Sequence, residues 1–306
     1  MTLISTQGLV KSYGSVVALD DLTLDIEPGV VGLVGANGAG KSTLLKILLG
    51  LITPTSGQVR VFDLDVTTRG SDIRARVGYM PEHDCLPPDV SATEFVVHMA
   101  RIAGLPATAA RERAADTLRH VGLHEERYRN IGEYSTGMRQ RVKLAQALVH
   151  DPTLVLLDEP TNGLDPAGRD EMLALIRRIG TEFGISVLVT SHLLGELERV
   201  CDSLVVIDGG ALLRHTTIAD ATMASGVLAV EVDGDTAPLV RALEQAGITV
   251  RAAAHVLELE SSDGRANDIV RDIVAAQGLG LVRMEARRHR MLELFVEPTG
   301  EVPDVD

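Results

Sequence analysis

The stretch Val30-Val31-Gly32-Leu33-Val34-Gly35-Ala36-Asn37-Gly38-Ala39-Gly40-Lys41-Ser42-Thr43 decides the fold. Its first five residues are apolar and partly β-branched, which marks a short buried strand. The next eight, Gly35 to Ser42, satisfy G-x-x-x-x-G-K-[ST], and residues 41–49 carry apolar side chains on the helical period. An ordinary strand–turn–helix joint is the bland alternative. The lysine–serine pair at the mouth of the helix, with a strand before it, favours a phosphate site. A glycine-rich loop lets backbone N–H groups curl around phosphate oxygens, and the helix adds its positive N-terminal end. In that setting Lys41 reaches the β- and γ-phosphates and Ser42 offers an oxygen to Mg²⁺. Asn37, Gly38, Ala39, Gly40 and Thr43 complete the predicted cradle.

A second anchor lies downstream. Leu154-Val155-Leu156-Leu157-Asp158-Glu159 is an apolar run ending in two acids. Asp158 is expected to sit near the metal through its water shell, and Glu159 to orient or deprotonate a water attacking the terminal phosphate. Alternating buried strands and helices predict an α/β protein with a largely parallel sheet covered on both faces. Ligands in such sheets sit at the carboxyl ends of the strands, where both the glycine loop and the acidic pair fall.

Around these anchors, residues 3–13 and 17–26 read as strands and 54–57 as a loop. From 91 to 150 helical segments dominate (92–103, 107–121 and 136–149), which reads as an inserted helical subdomain. Beyond it come a helix at 167–183, a strand at 186–190, a helix at 193–200 and a strand at 203–208. The order of elements from 227 to 285 is βαββαβ, a split-βαβ or ferredoxin-like pattern.

The chain has 306 residues, 45% hydrophobic and 24% charged, enough to bury a core. Lys+Arg 29 against Asp+Glu 43 gives a net charge of −14, which disfavours broad binding to nucleic acid or anionic lipid. No stretch approaches the roughly 18 consecutive apolar residues of a membrane helix. The first residues lack a basic start followed by an apolar run, so no signal peptide is expected. Cys85 and Cys201 fit no metal or disulfide spacing and suggest a reducing compartment.

Tyr134-Ser135-Thr136-Gly137-Met138-Arg139-Gln140-Arg141 adds a family mark. It is similar to the LSGGQ signature of ATP-binding-cassette (ABC) transporter nucleotide-binding subunits, with Tyr134 for Leu, Thr136 for Gly and Met138 for Gln. On their own, Ser135 and the N–H groups opening a helix at Thr136 read as a plain capped helix start; with the resemblance they are expected to make a second anion site. The resemblance covers roughly residues 3–215. It implies a P-loop NTPase with a RecA-like core and mostly parallel sheet, the inserted helical subdomain at about 88–150, and an ATPase domain over 1–218. A small α+β accessory domain is then expected over 219–306.

The resemblance also implies roles. Tyr13 matches the aromatic that stacks on adenine, and Val17 lies beside it among the nucleotide contacts. Glu82, in Gly78-Tyr79-Met80-Pro81-Glu82, stands where most cassettes have a glutamine touching Mg²⁺ and the membrane partner. Asp165, in Asn162-Gly163-Leu164-Asp165, matches the loop joining two subunits' sites, and His192 matches the histidine that contacts the γ-phosphate. In the family, ATP is held between the phosphate loop of one subunit and the signature (here Ser135 and Gly137) of another. A head-to-tail homodimer, or a pairing with a close paralogue, is therefore expected. A separate membrane permease is expected too, docked on the helical subdomain at the cytoplasmic face of the membrane.

Pro81-Glu82, the signature variant and an extension of about 85 residues resemble bacterial exporters of drugs, antibiotics, polysaccharides and ions, whose permeases are separate chains. Residues 291–297 are similar to a C-terminal helix of that group. The basic cluster Arg283, Arg287, Arg288 and Arg290 reads as a solvated surface. A soluble cassette ATPase working on nucleic acid or ribosomes is the main rival. It usually brings a second cassette, a coiled-coil insert or a strong basic patch, none of which is visible. A small-molecule kinase on the same loop is disfavoured by Ser135 and His192.

Overall fold

A computed structural model describes residues 2–222, 224–233, 236–253, 256–260 and 265–288. The chain divides into two compact units, Met1–Ile218 and Ala219–Asp306.

In the first unit, β1 (Ile4–Tyr13) and β2 (Val16–Ile26) form an antiparallel hairpin, with Tyr13 opposite Val16 at its tip. Next come β3 (Val30–Val34), α1 (Lys41–Leu48), β4 (Ser56–Val61), β5 (Leu64–Asp65), α2 (Gly70–Arg74) and β6 (Val77–Met80). The helical stretch follows as α3 (Ala92–Ile102), α4 (Ala107–His120) and α5 (Thr136–Leu148). The unit closes with β7 (Leu154–Asp158), α6 (Pro166–Glu182), β8 (Ser186–Ser191), α7 (Leu194–Leu197), β9 (Ser203–Asp208) and β10 (Ala211–Thr217).

These strands build two sheets. One is antiparallel, in the order β2-β1-β4-β5; the other has six strands in the order β10-β9-β3-β8-β7-β6. Five strands of the larger sheet run parallel, and β10 is its antiparallel edge. Every residue of β3, β7 and β8 is buried, as strands covered on both faces must be. Helix α1 places Leu44, Leu45 and Leu48 in one apolar cluster with Leu19 and Leu22 of β2, Val59 of β4 and Leu156 of β7, so both sheets share a core. Each such leucine contributes about 1.5–3 kcal/mol by leaving water.

The parallel sheet is thus as expected from the apolar runs, but two local readings need correction. The antiparallel sheet that includes β4 and β5 is larger than the opening hairpin, and β4 begins inside the stretch 54–57 read as loop. Only Leu194–Leu197 is helical within 193–200, because α7 must stop for the chain to enter β9. The strand 203–208 ends where expected, and beyond the Gly209-Gly210 turn lies an edge strand, β10, in a stretch where no element is expected from the sequence.

In sequence after β10 comes α8 (Ile218–Thr222), then in the second unit β11 (Ala224–Asp233), α9 (Ala237–Gln245), β12 (Val250–Ala253), β13 (Val256–Glu260), α10 (Arg265–Gln277) and β14 (Gly280–Arg288). The sheet order is β12-β13-β11-β14, antiparallel throughout. Leu228, Val230, Leu239, Leu243, Leu257, Leu259 and Val270 form its own core. The expected helix over 291–297 and Arg290 lie outside the described residues.

Candidate functional site

Three neighbouring strands aim their carboxyl ends at one place. In the order β3-β8-β7, Val34 is opposite Ser191 and Thr190 is opposite Asp158. The loops leaving these ends carry the glycine-rich segment, His192 and Glu159, respectively.

The glycine loop is shaped by two different constraints. Gly40 has φ +102°, and a Cβ there would lie 2.4 Å from the Ala18 carbonyl oxygen. It lets the loop pass against β2 before α1 begins. Gly38 has φ +88° with open space around it, so here glycine serves the backbone turn. A cleft of about 380 Å³ opens over the loop, lined by Ala18, Ala36, Asn37, Gly38, Gly40, Lys41, Ser42, Thr43, Glu82, Glu159, Asn162 and His192.

Polar groups converge inside it. Lys41 Nζ donates to the Gly35 and Ala36 carbonyls at 2.7 and 3.3 Å and stands 3.5 Å from Glu159 Oε1. His192 Nδ1 lies 2.9 Å from Glu159 Oε2. Glu159 has φ +48°, a left-handed conformation costing roughly 1–2 kcal/mol for a residue with a Cβ. Its amide donates to Thr190 Oγ1 at 2.9 Å, and the same hydroxyl donates to Asp158 Oδ1 at 2.9 Å. One buried threonine therefore orients both acids.

Asp158 is 3% exposed and accepts from Ser42 Oγ at 3.3 Å. Burial pushes its carboxyl above the usual value, the Thr190 and Ser42 hydroxyls oppose this, and the charges of Glu82 and Glu159 add to it. Burial also raises Tyr79, and the Asp158 charge raises it further. Glu82 Oε1 accepts from Asn162 Nδ2 at 3.3 Å. No group of three or more His, Cys, Asp or Glu among the described residues makes a metal cage. The oxygens of Ser42, Asp158 and Glu82 suit a hard cation that takes its remaining ligands from phosphate and water.

The remaining expected residues sit apart from this cleft's lining. Tyr13 is 49% exposed at the hairpin tip with Lys11 Nζ 4.9 Å from its ring centre, and Val17 is exposed beside it. The residue of β2 in the lining is Ala18. Ala39 is buried in the core, and its amide donates to Ala36 O at 3.1 Å. Ser135 is exposed and caps α5, accepting from Met138 N at 3.3 Å; Gly137 follows in the first turn. Asp165 caps α6, accepting from Gly168 N at 3.1 Å.

Sequence reading missed Thr190, Ala18, and the part played by Asn162. It also missed Lys143 and Gln140 of α5, which are buried against the cleft wall. Lys143 Nζ donates to the Glu82 carbonyl at 2.8 Å, and Gln140 Nε2 to the Asn162 carbonyl at 3.1 Å. The available signal was helical spacing, since 140, 144 and 147 are the apolar-facing side of α5 and 143 falls among them.

Known proteins are similar to this chain in sequence and in fold. A family model described as "ABC transporter" matches residues 19–162. The bacitracin transport ATP-binding protein BcrA of Bacillus licheniformis is 39% identical over 215 residues, 70% of this chain and 69% of that protein. The daunorubicin/doxorubicin resistance ATP-binding protein DrrA of Streptomyces peucetius is 38% identical over 228 residues, 74% of this chain and 69% of that protein. The Nod factor export ATP-binding protein I of Cupriavidus metallidurans is 33% identical and aligns with 97% of each chain. Among solved structures, cbiO1 from Clostridium perfringens, part of the ABC transporter complex cbiONQ, superposes with a TM-score of 0.66 at 26% identity, covering 72% of this chain and 90% of that one. The dimeric post-hydrolysis state of the ATP-binding cassette MJ0796 with ADP and Pi superposes with a TM-score of 0.64 at 24% identity, covering 70% and 98%, and shares the fold. The relatives are transport ATP-binding proteins rather than cassettes that act on nucleic acid. The chain therefore belongs to the ABC transporter family, as an ATP-binding subunit that hydrolyses ATP.

Proposed function

We propose that two copies of the chain close head to tail on two ATP molecules and power export through a separate membrane permease. The observation that carries this reading is the separation of Ser135 from the phosphate cleft of its own chain. Ser135 stands exposed at the tip of α5, and neither it nor Gly137 lines the cleft. An exposed serine-capped helix start is an anion site awaiting a ligand held elsewhere, and the phosphate loop of a second copy supplies one. ATP contacts present only in the closed pair then shift the population towards closure, and hydrolysis releases it.

In this reading the backbone amides of residues 37–43 and the Lys41 ammonium bind the β- and γ-phosphates, while Tyr13 and Val17 border the adenine. Ser42 and Asp158, with Glu82, hold Mg²⁺, which when bound neutralises phosphate charge. Glu159 orients the attacking water and takes its proton, with Thr190 fixing its backbone and His192 beside its carboxylate. Asp165 lies at the junction between copies.

The segment 88–150 is the proposed docking subdomain. Ile102 and Tyr128 are exposed apolar side chains on it, and no described helix is long and apolar enough to cross a membrane. The chain then sits at the cytoplasmic face of the membrane through its partner. The division into an ATPase domain over 1–218 and a ferredoxin-like accessory domain over 219–306 is supported by the sheet order of the second unit.

Co-purification of the tagged chain with a polytopic membrane protein, together with ATP hydrolysis that yields no phosphorylated product, tests the reading. Transfer of phosphate to a small molecule would replace it with a kinase.

A further inference from the structure

Lys143 is a buried cation that the hydrolytic steps above leave unused. It lies in the middle of α5 and is 3% exposed. A buried ammonium persists only where nearby groups compensate for lost water. Its Nζ donates to the Glu82 main-chain oxygen at 2.8 Å; burial pulls its pKa below the usual value, and the carboxylates of Glu82, Asp84 and Asp158 oppose this. One turn earlier Arg139 Nε stands 3.8 Å from Asp84 Oδ2.

These contacts close a ring. Lys143 fixes the backbone of Glu82, Gln140 fixes the backbone of Asn162 at 3.1 Å, and Asn162 Nδ2 donates to the Glu82 carboxylate at 3.3 Å. Glu82 and Asn162 both line the phosphate cleft. Both therefore hang from the helix whose first residue follows Ser135. We propose that Lys143 is a positioning residue for Glu82: its ammonium ties the Glu82 backbone to α5, offsets the carboxylate charge, and transmits any shift of α5 to the cleft wall. The proposal rests on the hydrolytic reading above and adds to it a residue outside the cleft lining.

The test uses the full-length chain with four measurements: ATPase kcat, ATP KM, binding of a fluorescent nonhydrolysable ATP analogue, and thermal midpoint. Lys143→Met keeps side-chain length and removes the charge. It is expected to lower kcat about 10-fold, with KM and analogue affinity within about 2-fold and a lower thermal midpoint, since the Glu82 carbonyl loses its donor. Lys143→Arg is expected to recover part of the lost kcat. In a Glu82→Ala background, Lys143→Met should have almost no further effect, because it acts through that side chain.

An unchanged kcat for Lys143→Met, or the same full loss in the Glu82→Ala background, overturns the proposal. Should Lys143→Met fail to fold, Asn162→Ala at the exposed side of the ring decides the matter. A severalfold lower kcat at constant KM supports the ring, and a wild-type kcat contradicts it. A wild-type chain that hydrolyses no ATP would instead sink the hydrolytic reading itself.

Discussion

His192 Nδ1 lies 2.9 Å from Glu159 Oε2, while Lys41 Nζ stands 3.5 Å from the other oxygen of the same carboxylate. Two residues, from the segments that follow β8 and β3, thus meet on the acid that follows β7. A carboxylate held between an imidazole and an ammonium is placed to orient a water against a phosphate bound by that ammonium.

Glu159→Gln removes the proton acceptor and leaves the shape. ATP turnover should fall by about 10²–10⁴-fold, with nucleotide binding retained. Steady-state phosphate release and equilibrium binding of labelled ATP check the two halves. Wild-type turnover in this variant would remove Glu159 from the chemistry.

Lys41→Ala removes the only ammonium among the cleft-lining residues. Charge-assisted bonds to phosphate contribute about 1.5–3 kcal/mol, so ATP affinity should drop by roughly 10- to 100-fold. Titration with a fluorescent ATP analogue measures it, and unchanged affinity would contradict the phosphate-loop assignment.

The two loop glycines should respond differently. In Gly40→Ala the new Cβ meets the Ala18 carbonyl at 2.4 Å in a positive-φ conformation, so the nucleotide-free chain should lose at least about 1–3 kcal/mol. Gly38→Ala meets nothing and keeps only the backbone strain, so its stability loss should be smaller and its loss of ATP affinity the larger effect. Denaturant midpoints with and without ATP separate them.

Much of this site could be read from the sequence because its chemistry follows short local patterns. The loop 35–43 needs glycines before a lysine, and Asp158 ends an apolar run that only a covered strand tolerates. Thr190 could not be read, since its role depends on β8 lying next to β7, a pairing set by tertiary topology. Helical spacing puts Lys143 on the buried side of α5, but its partner, the Glu82 carbonyl, is known only once α5 is packed against that segment. The strand β10 was missed because Gly209-Gly210 looks like an end when it is a hairpin turn. Tyr13 and Val17 carry a family expectation that the lining of the cleft itself does not include.

Asp202 offers a pH test away from the site. Its Oδ2 accepts from Val30 N at 2.9 Å and its Oδ1 from Arg177 Nη1 at 2.6 Å, tying the start of β3 to the start of β9. Burial raises this carboxyl, but the Val30 amide and Arg177 outweigh it and hold the group below its ordinary 3.8. A depressed carboxyl contributes stability above its unfolded value, and that contribution is lost as pH falls through the folded one. Asp202→Asn should therefore cost about 1 kcal/mol near neutrality, and the difference from wild type should shrink below pH 3.8. Urea unfolding of both proteins across pH measures it, and a gap that widens towards acid would reverse the sign.

The head-to-tail grip on ATP is tested most directly by light scattering of Glu159→Gln, alone and combined with Ser135→Arg, with and without ATP. The account predicts that ATP converts Glu159→Gln from a 32.7 kDa monomer to a dimer, and that adding Ser135→Arg leaves ATP bound to a monomer. An ATP-dependent dimer that survives Ser135→Arg, or a Glu159→Gln chain that stays monomeric with ATP bound, would contradict it.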